Sequence, residues 1–168
     1  MYKRQIQRLV SRLHQLNDVE VTIVTNTDLL ADLMLLCPST HVVLNPDPEK
    51  GRTGSVQCGL SSILERKGRL PRKVLLVPVD RPGWSVQIVR HLLQMETSSC
   101  PVWNKRGGHP LLIVGEDINA VYLAKGDVPL SSLVHRKTMP VDFPWLHLNI
   151  DTKEDLGELL TASKEDWF

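Results

Sequence analysis

The stretch VLLVPVDRPG, Val74 to Gly83, decides how the rest of the chain is read. Its first part is apolar and broken only by Pro78; then comes a single carboxylate, Asp80, followed by Arg81, Pro82 and Gly83. A continuous apolar run closed by turn residues predicts a strand buried on both faces of a parallel sheet. An acid at the carboxyl end of such a strand stands where open α/β sheets bind their ligands. That is a place suited to holding a divalent cation against a phosphate. Asp80 equally suits the opening of the turn that contains Pro82, and the segment alone leaves both readings open.

Working outward, the 168 residues suit a single domain over residues 1–168, long enough for a proper core. Hydrophobic residues make up 42% and charged residues 23%, which is ordinary for a globular protein. The formal net charge is +1 and the Lys and Arg residues are scattered, so neither a nucleic-acid nor a membrane partner is indicated. No apolar stretch approaches the roughly 20 residues of a membrane span, and none reads as a secretory signal. Cys37, Cys58 and Cys100 are odd in number, widely spaced and free of any CxxC pattern. That argues against a disulfide framework or a zinc site, and a reducing, cytoplasmic setting fits.

Periodicity predicts an amphipathic helix over Gln5–Leu16 and a strand over Val19–Asn26. A helix capped by Thr27 or Asp28 runs to about Cys37, where Pro38 stops it. A short strand covers His41–Asn45 and a helix Ser55–Lys67. After the Val74–Val79 strand come a helix from Ser85 to Met95, a short strand near Val102, a tight RGGHP loop and a strand from Leu111. Glu116–Leu123 and Leu130–Arg136 read as short helices, and Trp145–Ile150 as a late strand. The last helix opens at Thr152 as N-cap, with Asp155 three residues on in a capping-box-like pairing. This alternation predicts a three-layer α/β domain with a largely parallel sheet.

Four loops follow the apolar strands, and each is rich in residues that bind ligands. NPDPEKGRTGSVQCGL, Asn45 to Leu60, sets Gly51, Gly54 and Ser55 ahead of a helix, where free N–H groups attract anions. Glycine there lets a ligand approach the backbone, although Ser55 also serves as a plain helix cap. Asp80 is the second. The third is RGGHP, Arg106 to Pro110: Gly107 and Gly108 permit a sharp turn, and His109 suits a hydrogen bond to phosphate or sugar, or a purely structural one. The fourth is LNIDTKED, Leu148 to Asp155. Asn149 and Asp151 flank Ile150, so both point to one face of an extended segment. Oxygen-bearing side chains there suit Mg²⁺, which takes hard ligands and usually only one or two carboxylates; the plainer account makes Asp151 and Thr152 the entry to the last helix. No GxSxG elbow, GxGxxG fingerprint or GxxxxGK[ST] loop occurs.

Taken in chain order, these loops resemble the MobA-like NTP transferase family, and most nearly its molybdenum-cofactor cytidylyltransferase branch. NPDPEKGRTGSVQCGL looks like that branch's NPD…G…SS…GL loop, and VPVDRP like its strand ending in a metal-binding Asp. KRGGHPLLI is similar to its RGHP segment and LNIDTKEDL to its closing DIDTPEDL. The likeness covers roughly Gln5 to Leu160. It implies a Rossmann-like nucleotidyltransferase that uses Mg²⁺ to transfer CMP from CTP to a phosphate of molybdopterin, releasing pyrophosphate. On that resemblance Asp80 and Asp151 hold the metal, Asp80 and His109 are catalytic, and Asn45, Gly54, Ser55, Gly59 and Gly108 bind nucleotide or acceptor. Transfer to a sugar or alditol phosphate is the alternative on the same fold. A non-catalytic accessory domain, handing cofactor to a molybdenum hydroxylase, is the alternative of a different class.

Departures from the family pattern carry expectations of their own. The family opens with a strand and a glycine-rich loop, LAAGxSxRMGxxK, that wraps the triphosphate. Here the chain starts where the family's first long helix should be, so the resemblance implies an N-terminally truncated domain lacking that strand and loop. Such a loss would leave unpaired backbone groups on the neighbouring strands and an edge prone to association, with little stability or transferase activity in the chain alone. The family's GDxGAR segment is replaced by GDVPLSS, Gly126 to Ser132. Asn149 replaces the first Asp of DIDT, and Lys153 replaces the usual Pro.

Overall fold

Ile6, Leu9, Val10 and Leu13 recur at helical spacing because they form the inner stripe of α1 (Tyr2–Leu13), where Leu9, Val10 and Leu13 are buried. The computed structural model describes residues 2–17, 19–125, 128–152 and 154–167. The differences from the family pattern at Gly126 and Lys153 therefore lie outside the described residues. The chain forms two compact units, Met1–Val74 with Val114–His135, and Leu75–Ile113 with Arg136–Phe168.

In the first unit β1 (Thr22–Thr25) pairs in parallel with β2 (His41–Leu44), Ile23 opposite Val42. A parallel pair needs a crossover, and α2 (Thr27–Leu36) supplies it. Its cap is Asn26, one residue before the predicted Thr27, with Oδ1 accepting from the Leu29 N–H at 3.3 Å. Val10, Ile23, Leu33 and Cys37 join α1, β1 and α2 in one buried cluster. Arg12 is buried on the same helix; burial, then the charge of Arg8, lowers its pKa to about 10.

α3 runs over Gly51–Lys67 and ends on Gly68, which takes the left-handed φ of +70° that favours glycine. Its Gln57 amide donates to the Val121 and Ala124 carbonyls at 2.9 and 2.8 Å, and the Thr53 hydroxyl to Val128 at 2.7 Å. These bonds hold the end of α5 (Glu116–Leu123) and the approach to α6 (Leu130–Leu133) against α3.

The larger sheet has five strands: β3 (Lys73–Leu76), β4 (Ser99–Trp103), β5 (Arg106–Gly107), β6 (Leu111–Val114) and β7 (Lys137–Pro140). Their order is β3-β6-β4-β5, with β7 also on β4. β4 is parallel to β7 and antiparallel to β5 and β6. The α/β class is as predicted, with parallel pairs β1–β2 and β4–β7, and β5 and β6 add antiparallel pairing to β4. The cause is a two-residue turn: Asn104 and Lys105 both take positive φ, 49° and 64°, the geometry of a tight hairpin whose twist matches its strands. RGGHP is consequently not a free loop. Arg106 and Gly107 pair with Trp103 and Val102, and the Gly108 N–H continues the ladder to Pro101 at 2.8 Å.

Two further expectations are corrected. β3 is half-buried along its whole length, not buried on both faces; among the described residues it stands at the end of its sheet, beside β6. Trp145–Ile150 is not a strand; Pro144–His147 is a 3₁₀ turn, with Pro144 in the first helical turn, where its fixed φ is favourable. α4 (Val86–Gln94) follows the sequence closely, its Ser85 cap accepting from the Ile88 N–H at 3.2 Å. α7 (Leu156–Ala162) closes the chain, and Leu148, Ile150 and Ala162 form a buried cluster with Trp145 and Trp167 packed against it. Among the described residues no helix is long and apolar enough to cross a membrane.

Candidate active site

The Val74–Gly83 stretch positions Asp80 just beyond β3, and the backbone brings a second acidic segment to it. The Ile150 N–H donates to the Asp80 carbonyl at 2.9 Å. Ile150 is fully buried and anchors the segment in the core, between half-buried Asn149 and exposed Asp151. Asp80, Asn149 and Asp151 are therefore backbone neighbours within the second unit. The Asp80 carboxylate is 30% exposed and sits 3.7 Å from the Arg81 Nε.

Asn149 is the most telling of the three. Its Nδ2 donates to the Asp151 Oδ2. Because an ionised carboxylate can only accept, that bond fixes the orientation of the amide. Oδ1 then lies buried with no hydrogen-bond partner among the described residues, and such a group costs about 1–3 kcal/mol when left unmet. An orphaned oxygen beside the Asp151 carboxylate fits a hard divalent cation, which takes oxygen ligands and completes its shell with water and phosphate. Among the described residues no group of three or more His, Cys, Asp or Glu side chains is gathered for a metal. The fit rests on the Asn149 amide and the Asp151 carboxylate, with Asp80 joined to them through its main chain.

Asp155 braces this segment from below. Its Oδ2 accepts from the Asp151 N–H at 2.9 Å, the Thr152 N–H at 2.8 Å and the Thr152 hydroxyl at 3.0 Å. That is one half of the expected capping box. The helix itself starts at Leu156, so Thr152 is not its cap; Asp155 ties the preceding turn instead. The bonds from Thr152, the largest influence, hold the Asp155 carboxyl below its ordinary value. A depressed carboxylate lends its support above the unfolded-state value and loses it as the pH falls through the folded one. The 151–152 turn is thus expected to hold through the usual carboxylate range and to loosen only in stronger acid. Amide shifts of Asp151 and Thr152 followed against pH should show this late transition, and Asp155→Ala should abolish it.

Two more of the expected residues, Gly108 for nucleotide or acceptor binding and His109 for catalysis, fall in the same unit. Gly108 packs so closely that a Cβ there would come within 2.5 Å of the Leu146 side chain, and His109, which follows it, is half-buried. The remaining predicted residues belong to the first unit. Asn45, 6% exposed, donates from Nδ2 to the Ser55 hydroxyl at 3.1 Å and accepts the Asp47 N–H at 3.0 Å. Ser55 passes its own proton to the Gly51 carbonyl at 3.2 Å. Gly54 and Ser55 lie inside α3 rather than ahead of it, because the Pro48–Lys50 turn feeds straight into a helix that begins at Gly51. Ser55 therefore does not cap α3. Gly59 faces β1, where a Cβ would stand 3.1 Å from a Val24 methyl.

Comparison with known proteins decides the family. The family model for the MobA-like NTP transferase domain matches residues 2–145. The chain belongs to the MobA-like NTP transferase family. It is thereby a nucleotidyltransferase by kind. The fold is similar to that of Rv0371c from Mycobacterium tuberculosis H37Rv, with a TM-score of 0.72 at 14% identity over 96% of this chain and 84% of that one. The manganese complex of Rv0371c superposes with a TM-score of 0.71, at 14% identity over 96% and 86% of the two chains. A 4-diphosphocytidyl-2C-methyl-D-erythritol synthase gives 0.68 at 11% identity, covering 92% of this chain and 88% of its own. The molybdopterin-guanine dinucleotide biosynthesis protein A of Archaeoglobus fulgidus gives 0.62 at 13%, covering 96% and 86%. No curated protein matches the sequence.

Proposed function

We propose that the chain is a Mg²⁺-dependent cytidylyltransferase whose acceptor is a phosphate of molybdopterin. The observation that carries this reading is the Ile150–Asp80 backbone hydrogen bond, which ties an Asn-x-Asp segment to the acid four residues beyond β3. In the reaction an acceptor phosphate oxygen forms a bond to the α-phosphorus of CTP, the bond to the bridging oxygen breaks, and pyrophosphate leaves with that electron pair. The nucleophile is already deprotonated, so no base is needed; the obstacle is repulsion between two anions. A Mg²⁺ ion held there supplies charge neutralisation for the phosphates. Asp80 and Asp151 hold the cation, Asn149 adds a neutral oxygen, and His109 hydrogen-bonds phosphate. Within the first unit, the hydrogen-bonded Asn45–Ser55 pair, Gly54 and Gly59 are the residues assigned to nucleotide contact.

Calorimetric titration of the chain with CTP, GTP and ATP, with and without Mg²⁺, tests the reading. CTP is expected to bind at least about tenfold more tightly than the others and only with the cation. Equal binding of all three nucleotides would remove the cytidylyl assignment, and cation-independent binding would remove the role of the carboxylates. CTP binding that a sugar phosphate strengthens and molybdopterin does not would move the acceptor to that class.

A further inference from the structure

We propose that Arg81 is an exchangeable counter-ion of Asp80: a divalent cation displaces its guanidinium, which then takes a phosphate oxygen of the incoming nucleotide or pyrophosphate. The proposal rests on the reading of Asp80 as a metal ligand and adds a residue that this reading does not use. The pair is a loose one. A single Nε lies 3.7 Å from the Asp80 Oδ2, rather than the forked pair of nitrogens that makes strong Arg–carboxylate contacts, and both side chains are 30% exposed. An ion pair of this kind contributes little to stability, so breaking it costs the fold little. The backbone beneath is fixed. The Arg81 N–H donates to the Pro78 carbonyl at 3.3 Å, and Pro82 follows with its restricted φ. Exchange is left to the side chain alone.

The chemistry favours the exchange once a cation arrives. Asp80 cannot face Arg81 and a divalent ion with equal benefit, since the two cations repel at close range. A released guanidinium, planar and permanently charged, matches phosphate geometry better than carboxylate at a single nitrogen. Arg81 thereby links the two ligands. It weakens the cation's hold while no anion is present and strengthens the anion's hold once the cation is bound, a coupling that must be reciprocal.

Arg81→Gln and Arg81→Lys, with melting temperatures matching the parent, decide the matter. Mn²⁺ affinity of the nucleotide-free protein, read by electron paramagnetic resonance, is expected to rise about threefold in Arg81→Gln, the scale of a partly exposed ion pair. Arg81→Lys should stay near the parent. Affinity for Mg²⁺-pyrophosphate, read by calorimetry, is expected to fall about threefold or more in Arg81→Gln, with Arg81→Lys in between because it keeps the charge and loses the fork. An unchanged or lower Mn²⁺ affinity in Arg81→Gln overturns the proposal, as does unchanged pyrophosphate binding. Asp80→Asn separates the two layers. If it loses Mn²⁺ while Arg81→Gln changes nothing, the counter-ion proposal alone fails; if it keeps Mn²⁺ at the parent affinity, the metal reading and the proposal fall together.

Discussion

Gly83→Ala is expected to destabilise the protein by about 3 kcal/mol, the upper end of what overpacking costs. The residue needs no special backbone angle; its constraint is space. A Cβ built there would lie on the Trp145 carbonyl oxygen, and Leu148 stands 3.1 Å away. The obstructing atom is backbone in the Pro144–His147 turn, so no rotamer change relieves it. Gly108 presses on the same turn through Leu146, which is itself 2% exposed. The turn leads directly into Leu148–Asp151, so the damage should reach the carboxylate segment too. Urea unfolding measures the loss, with Gly157→Ala as control: nothing lies within 4 Å of a Cβ there, and the residue sits in α7, where alanine is favoured by up to about 1 kcal/mol. Equal midpoints for the two variants would refute the packing argument.

Asp80→Asn is expected to lower Mn²⁺ affinity at least about tenfold, or about 1.4 kcal/mol, with the fold intact. The side chain is partly exposed and its partner Arg81 is loosely held, so the amide fits in the same place. What disappears is one of the two carboxylates proposed to hold the cation, and hard divalent ions depend on charged oxygen. Asp166→Asn, an exposed carboxylate in the C-terminal segment, should leave the affinity unaltered. Parity between the two variants would take Asp80 out of the metal site.

What the sequence reveals depends on whether the deciding interaction is local. Ser85 capping α4 is legible because a serine ahead of an apolar stripe needs only its own next three residues. Asp80 is legible as an acid closing an apolar run, and Asn149 and Asp151 as neighbours of one buried residue. The Asn104–Lys105 hairpin is not, because its second position lacks the glycine that usually announces such a turn. The start of α3 was obscured by Ser55, whose hydroxyl resembles a cap but serves the second turn of a helix begun at Gly51. The half-buried state of β3 accompanies its place beside β6 at the end of the sheet among the described residues, which no local pattern encodes. Arg81 carried no signal either; next to Asp80 it reads as ordinary turn polarity, and the contact at 3.7 Å is visible only in three dimensions. The same holds for the stranded Asn149 oxygen, which depends on the direction of its amide.

The Ile150–Asp80 link joins main chain to main chain. That one bond consequently needs no particular side chain at positions 149 or 151. Positions 149 and 151 behave like sockets: Asn for Asp, or the reverse, alters the negative charge displayed there without removing that main-chain bond. Single exchanges can thus retune the local charge, while the hydrophobic grip on Ile150 keeps the mounting plate still.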